Sequence, residues 1–201
     1  MICVRFILVA VLSAACGAAS AGALAPGGHV ADFTLKDQTG AAHQLYALSG
    51  KEAVVIMTQS NGCPIVRLAV PALREIRDRY RGHDIEFLML NPTLQDTRET
   101  VLQEASEFQF GMTVLLDRTQ QVGQAWGVHR TAEVFVIDPK TWTLLYHGPI
   151  DDRLNYESQQ PVRHKYLTDA LDAVLANKPV AVASVASPGC LINFPNRNQS
   201  H

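Results

Sequence analysis

Cys63 has the most informative surroundings of any reactive side chain in this 201-residue sequence. It ends the polar turn Ser60-Asn61-Gly62, directly after the apolar run Val54-Val55-Ile56-Met57. Pro64 follows, then a segment with Leu68, Ala72, Leu73, Ile76 and Tyr80 mostly on one side at helical spacing, and Arg67, Arg74, Glu75, Arg77 and Asp78 on the other. The run reads as a buried strand, the turn as its end, and Pro64 as the first residue of a helix. Cys63 therefore falls where unpaired backbone N–H groups and the helix dipole favour a thiolate, with Arg67 one turn along. A free cysteine can also be no more than a small buried apolar residue. The turn, the proline and the arginine together favour the reactive reading.

Composition narrows the function classes. With 47% hydrophobic and 18% charged residues and a net charge of −2, the chain suits one globular domain and gives nucleic acid no basic surface. Residues 1–21 differ from the rest. Arg5 precedes the apolar stretch Phe6 to Leu12, small residues follow, and Ala19-Ser20-Ala21 fits a signal-peptidase site. We read residues 1–21 as a secretory leader, too short in its apolar part for a membrane span, so the mature form has no stable span. Ser13-Ala14-Ala15-Cys16 offers a looser lipoprotein alternative through Cys16. Removing the leader also removes Cys3 and Cys16, which leaves Cys63 and Cys190 in an exported, disulfide-permissive setting, periplasmic or secreted.

Extended pieces at 30–35 and 43–48 pair as an N-terminal hairpin around Asp37-Gln38-Thr39-Gly40. Strands at 53–58, 85–90 and 112–116 alternate with helices at 64–79, from 96, and at 117–126. Strands at 134–138 and 142–146 form an antiparallel pair, and a last helix covers 162–176. The alternation predicts an α/β fold with a parallel core in a mixed sheet. The domain spans 26–176. Residues 177–201 form an extended tail that carries Cys190 in Pro188-Gly189-Cys190, lies along the domain and frays after Phe194.

Several segments carry a family resemblance: Ala31-Asp32-Phe33-Thr34-Leu35, the strand and turn into Cys63-Pro64, Leu115-Leu116-Asp117, and Glu133-Val134-Phe135-Val136-Ile137-Asp138-Pro139. Tyr146-His147-Gly148-Pro149-Ile150-Asp151-Asp152 and Pro188-Gly189-Cys190-Leu191-Ile192 extend it. Over residues 26–176 the chain resembles the thioredoxin-like redoxins that include the alkyl hydroperoxide reductase/thiol-specific antioxidant proteins. The resemblance implies a thioredoxin-like fold, a central mixed sheet flanked by helices. It departs from the family pattern in three places. Val66 stands where thioredoxins carry a second cysteine, Ile56 where peroxiredoxins carry a proline, and Ala132 where a cis-proline usually precedes the facing strand.

A thiol-based oxidoreductase is implied, with Cys63 as nucleophile on a peroxide or on a protein or small-molecule disulfide. Cys190 is the internal candidate for a resolving thiol, or else half of a permanent structural disulfide. Ser60 is placed to hydrogen-bond the thiolate or a peroxide oxygen, Arg67 to stabilise the thiolate, and Arg130 and Thr131 to line the opposite wall as a substrate loop. An external thiol is the expected reductant, and no cofactor or metal is called for. Two other classes stay open: a copper-handling protein using Cys63, Cys190 and His129 or His147, and a redoxin-like binding module without catalysis.

Overall fold

The computed structural model describes residues 23–154 and 159–195. The leader, the Cys16 alternative and the expected fraying after Phe194 bear on residues outside that range. The strands are β1 (Thr34–Asp37), β2 (Ala42–Gln44), β3 (Ala53–Thr58), β4 (Ile85–Asn91), β5 (Thr113–Leu116), β6 (Val134–Asp138) and β7 (Thr143–Gly148). The helices are α1 (Pro64–Arg79), α2 (Arg98–Glu107), α3 (Gln121–Ala125) and α4 (Tyr166–Leu175). One seven-stranded sheet has the order β2-β1-β5-β4-β3-β6-β7. The middle strands β3, β4 and β5 are parallel, and β6 and β7 add antiparallel pairing on one side. This is the mixed α/β architecture that the alternation predicts.

Every residue of β3 is buried, which explains its unbroken apolar pattern. Its side chains alternate between two cores. Val55 and Met57 face α1, α2 and α4 through Val66, Val70, Val101, Leu167 and Leu171. Val54 and Ile56 face the opposite layer, where Trp126, Phe135 and Leu115 meet Ile192 and Phe194 of the tail. The tail thus completes the second core. Phe194 is 5% exposed, and a Cβ on Gly123 would lie 2.9 Å from its ring.

Several boundaries differ from the sequence expectation, among them β1, found at Thr34–Asp37 and not 30–35, and α3, found at Gln121–Ala125 and not 117–126; two further differences have a clear cause. Residues 45–48 leave the hairpin and form a 3-10 turn, because the Asp32 carboxylate takes the Tyr46 N–H (2.9 Å) and the Gln44 amide (2.6 Å). The last helix begins at Tyr166 rather than 162, because the N–H groups of Arg163 and His164 are held by Asp152 (2.9 and 3.1 Å). Among the described residues no helix is long and apolar enough to cross a membrane.

Candidate active site

Cys63 is the N-cap of α1, with extended backbone (φ −74°, ψ 114°) and Pro64 in the first turn. The left-handed turn at Gly62 (φ 75°) delivers it there, a conformation that glycine adopts without steric cost. Residue 63 is 4% exposed. Its sulfur lies 3.0 Å from the Thr131 hydroxyl. Thr131 belongs to the loop entering β6, and Thr58 at the end of β3 clamps that loop. The Thr58 hydroxyl donates to the Arg130 carbonyl (2.8 Å) and accepts the Glu133 N–H (2.9 Å), and the Ala132 N–H donates to the Thr58 carbonyl (2.8 Å).

The tail brings Cys190 to the same point. The Thr131 N–H donates to the Cys190 carbonyl and the Cys190 N–H donates to the Thr131 hydroxyl, both at 2.9 Å. Because Oγ1 of Thr131 accepts from that backbone N–H, its own proton is free to point at Cys63 Sγ. The Ile192 N–H donates to the His129 carbonyl at 3.0 Å, and Arg130 pairs with Leu191 as an antiparallel bridge. The Arg130 guanidinium holds the Gly189 carbonyl at 2.9 Å. Gly189 is required here, since a side chain would overlap the Thr131 carbonyl.

The two cysteines are free thiols that meet on Thr131, and their acidities diverge. Burial alone would raise Cys63. Hydrogen bonds from the Cys190 thiol, the Thr131 hydroxyl and the N–H groups of Val66 and Cys190 outweigh it and hold Cys63 below the ordinary thiol range. Cys190 is pushed up to about 11 by burial and by donating to Cys63. The two sulfurs are thus shifted in opposite directions, Cys63 toward the thiolate and Cys190 toward the thiol.

The remaining residues singled out from the sequence take different places. Ser60 meets Cys63 through the backbone, its carbonyl accepting the Cys63 N–H at 3.4 Å, and among the described residues no bond joins its hydroxyl to the sulfur. The Thr131 hydroxyl occupies that position instead. Arg67 points at Glu104 in a two-pronged ion pair (2.9 and 2.9 Å) and lies 3.9 Å over the Phe108 ring. Its pKa is raised first by the Glu104 hydrogen bonds and only to a lesser degree by the Cys63 charge. Of the expected substrate loop, Thr131 meets Cys63, whereas Arg130 is turned to the Gly189 carbonyl, and the tail lies along both. Ala132, in a trans-linked stretch, adopts φ 55° and is 4% exposed. That left-handed alanine is a strained backbone position beside the site.

Two supporting groups escape sequence reading. Buried Glu104 takes the Gly62 N–H at 3.1 Å besides Arg67, so it braces the turn that presents Cys63. Asp96 takes the Asn61 N–H and the Asn91 amide, both at 2.9 Å. Neither lies near Cys63 in sequence, and an isolated carboxylate in a helical pattern gives no signal. For the copper alternative, His147 is turned to Glu133 (3.2 Å) and stacks on Phe135. Among the described residues no group of three or more His, Cys, Asp or Glu side chains is arranged to hold a metal ion.

A mixed sheet with a cysteine at the N-terminus of the helix that follows its central strand, faced by a loop entering an antiparallel strand, defines the thioredoxin-like class of redoxins. The AhpC/TSA family model matches residues 26–144, and the chain belongs to that family. It is 28% identical over 116 residues to the thiol-disulfide oxidoreductase ResA of Geobacillus thermodenitrificans, a match spanning 58% of this chain and 65% of that protein. Among solved structures, a hypothetical protein of Sinorhizobium meliloti superposes with a TM-score of 0.77 at 30% identity, over 86% of this chain and 96% of its own. An uncharacterised conserved protein of Geobacillus kaustophilus gives 0.76 at 26% identity, over 84% and 92%.

Proposed function

We propose that the protein is an exported thiol-dependent oxidoreductase in which Cys63 is the nucleophile and Cys190 the resolving thiol. The reading rests on the Thr131 hydroxyl, which lies 3.0 Å from the Cys63 sulfur and accepts the Cys190 N–H at 2.9 Å, and on the opposite shifts in acidity of the two thiols. The Cys63 thiolate attacks the oxidant. Oxidation by a peroxide gives a sulfenic acid, and oxidation by a disulfide gives a mixed disulfide. Cys190 then attacks the oxidised sulfur and closes a Cys63–Cys190 disulfide, which an external thiol reduces. Thr131 donates to the Cys63 thiolate through its hydroxyl and holds Cys190 through its backbone. Export is supported by the composition of residues 1–21.

The test is oxidation of the reduced protein with one equivalent of hydrogen peroxide, followed by peptide mapping. A Cys63–Cys190 linked peptide is expected, and Cys190→Ser is expected to accumulate a sulfenic acid on Cys63 that reacts with a dimedone-type probe. A wild-type protein that accumulates sulfenic acid and forms no linked peptide overturns the resolving role.

A further inference from the structure

The groups that an extended polypeptide needs in order to lie against Cys63 are already taken. In the loop at 129–131 they are the His129 carbonyl and the Thr131 N–H. The tail occupies both, through the Ile192 N–H at 3.0 Å and the Cys190 carbonyl at 2.9 Å. The two bonds flank the Arg130–Leu191 bridge, which is the pattern of one antiparallel strand laid beside another. The strand is held at both ends. On one side Gly189 packs without clearance on Thr131 and its carbonyl is held by Arg130. On the other, the Gln120 amide takes the Asn193 carbonyl at 2.7 Å, and Ile192 and Phe194 are 9% and 5% exposed in the second core. Under this strand Cys63 keeps 4% of its surface.

We propose that residues 188–194 act as a built-in occupant of the polypeptide groove, so that the oxidant Cys63 accepts is a small hydroperoxide and not the disulfide of a protein or peptide. This deepens the functional reading above and rests on Cys63 being the nucleophile. A hydroperoxide needs only a narrow approach to one sulfur, whereas disulfide exchange with a polypeptide needs a strand's length of backbone beside residues 129–131. The thiolate attacks the distal oxygen and the O–O bond breaks. Cys63 becomes a sulfenic acid while the departing alkoxide or hydroxide takes a proton and leaves as alcohol or water. Cys190 then displaces the sulfenic oxygen, which leaves as a second water, and the S–S bond forms. Two electrons and two protons from an external dithiol restore both thiols. Cys190 sits inside the occupying strand, so the segment that excludes polypeptides also delivers the resolving sulfur.

The test compares rate constants for Cys63 oxidation in the reduced full chain with hydrogen peroxide and with a disulfide-linked dimer of an unstructured decapeptide. Two variants loosen the strand and keep both cysteines: Gly189→Val, whose side chain collides with the Thr131 carbonyl, and Phe194→Ala, which removes the distal anchor. Both are expected to raise the peptide-disulfide rate about tenfold or more, by raising the fraction of undocked strand, without raising the peroxide rate. The proposal is overturned if the wild type reacts with the peptide disulfide as fast as with peroxide, or if neither variant gains. A wild-type Cys63 that reacts with neither oxidant overturns the oxidoreductase reading itself, a result distinct from the other two.

Discussion

Thr131 and Cys190 exchange hydrogen bonds in both directions, main chain to main chain and main chain to hydroxyl, each at 2.9 Å. One residue thereby fixes the second thiol and solvates the first. A local dithiol loop of the kind Val66 interrupts is replaced by a long-range pair whose geometry is set by the Thr131 loop and the tail. Four expectations follow from this arrangement and its supports.

Removing the Thr131 hydroxyl deprives the Cys63 thiolate of one charge-assisted donor. Thr131→Val is expected to slow iodoacetamide alkylation of Cys63 at neutral pH by about tenfold, the scale of one such bond. Thr131→Ser, which keeps the hydroxyl, is expected to restore most of the rate. Alkylation at wild-type rate in Thr131→Val would assign the low acidity of Cys63 to the helix N-terminus and Cys190 alone.

The divergent acidities make the stability of the reduced protein depend on pH in two windows. Cys63 is lowered in the folded state, so its contribution grows as pH rises from that lowered value toward the ordinary thiol value of about 9. Cys190 is raised to about 11, so its contribution is present below about 9 and is lost as pH rises from there to about 11. Urea unfolding of the reduced wild type against the double variant Cys63→Ser with Cys190→Ser should show the difference rising and then falling, with its maximum near pH 9. A monotonic difference would contradict the paired shifts.

Ala132 sits where redoxins usually place proline, yet restoring proline is expected to harm this chain. Its φ of 55° lies far from the value proline requires, and its N–H is bound to the Thr58 carbonyl at 2.8 Å. Ala132→Pro is expected to destabilise by about 3 kcal/mol or more. Ala132→Gly relieves the left-handed strain but loses a buried methyl and frees the unfolded chain, and is expected within about 1 kcal/mol of wild type. Chemical denaturation checks both.

Glu104 braces the turn that presents Cys63, although no bond joins the two residues. Glu104→Ala leaves the Gly62 N–H without its acceptor, which is expected to cost about 1–3 kcal/mol. Glu104→Gln keeps an acceptor and is expected to lose less. Both variants should also broaden the pH profile of Cys63 alkylation, a signature that loss of global stability alone would not produce.

What the sequence disclosed was local. The apolar run 54–57, the glycine turn and Pro64 sit within a few residues of Cys63, so its station at a strand-to-helix junction was legible without a structure. Strand alternation likewise disclosed the mixed sheet. Contacts that cross the chain were not legible. Thr131 lies 68 residues from Cys63, and Glu104 lies 42 residues from Gly62, and no pattern in either segment encodes the meeting. Ser60 is the hydroxyl nearest to Cys63 in sequence, yet the sulfur does not use it. The tight turn faces its carbonyl toward Cys63, and tertiary packing supplies the hydroxyl from elsewhere. The 3-10 turn at 45–48 is not legible for the same reason, since Asp32 redirects a segment whose own pattern is extended.

β7 is the outermost strand on its side of the sheet, and the tail meets it before reaching the thiols. The His147 N–H donates to the Ala183 carbonyl at 2.9 Å, and the Val185 N–H to the His147 carbonyl at 3.0 Å. A bare strand edge is a template on which another copy of the chain can polymerise. A protease that clips the chain ahead of residue 183 would therefore strip this cover, leaving a product prone to self-association, and would remove with it the thiol proposed to resolve Cys63. One segment of chain thus guards the sheet edge against other copies while it carries the second cysteine.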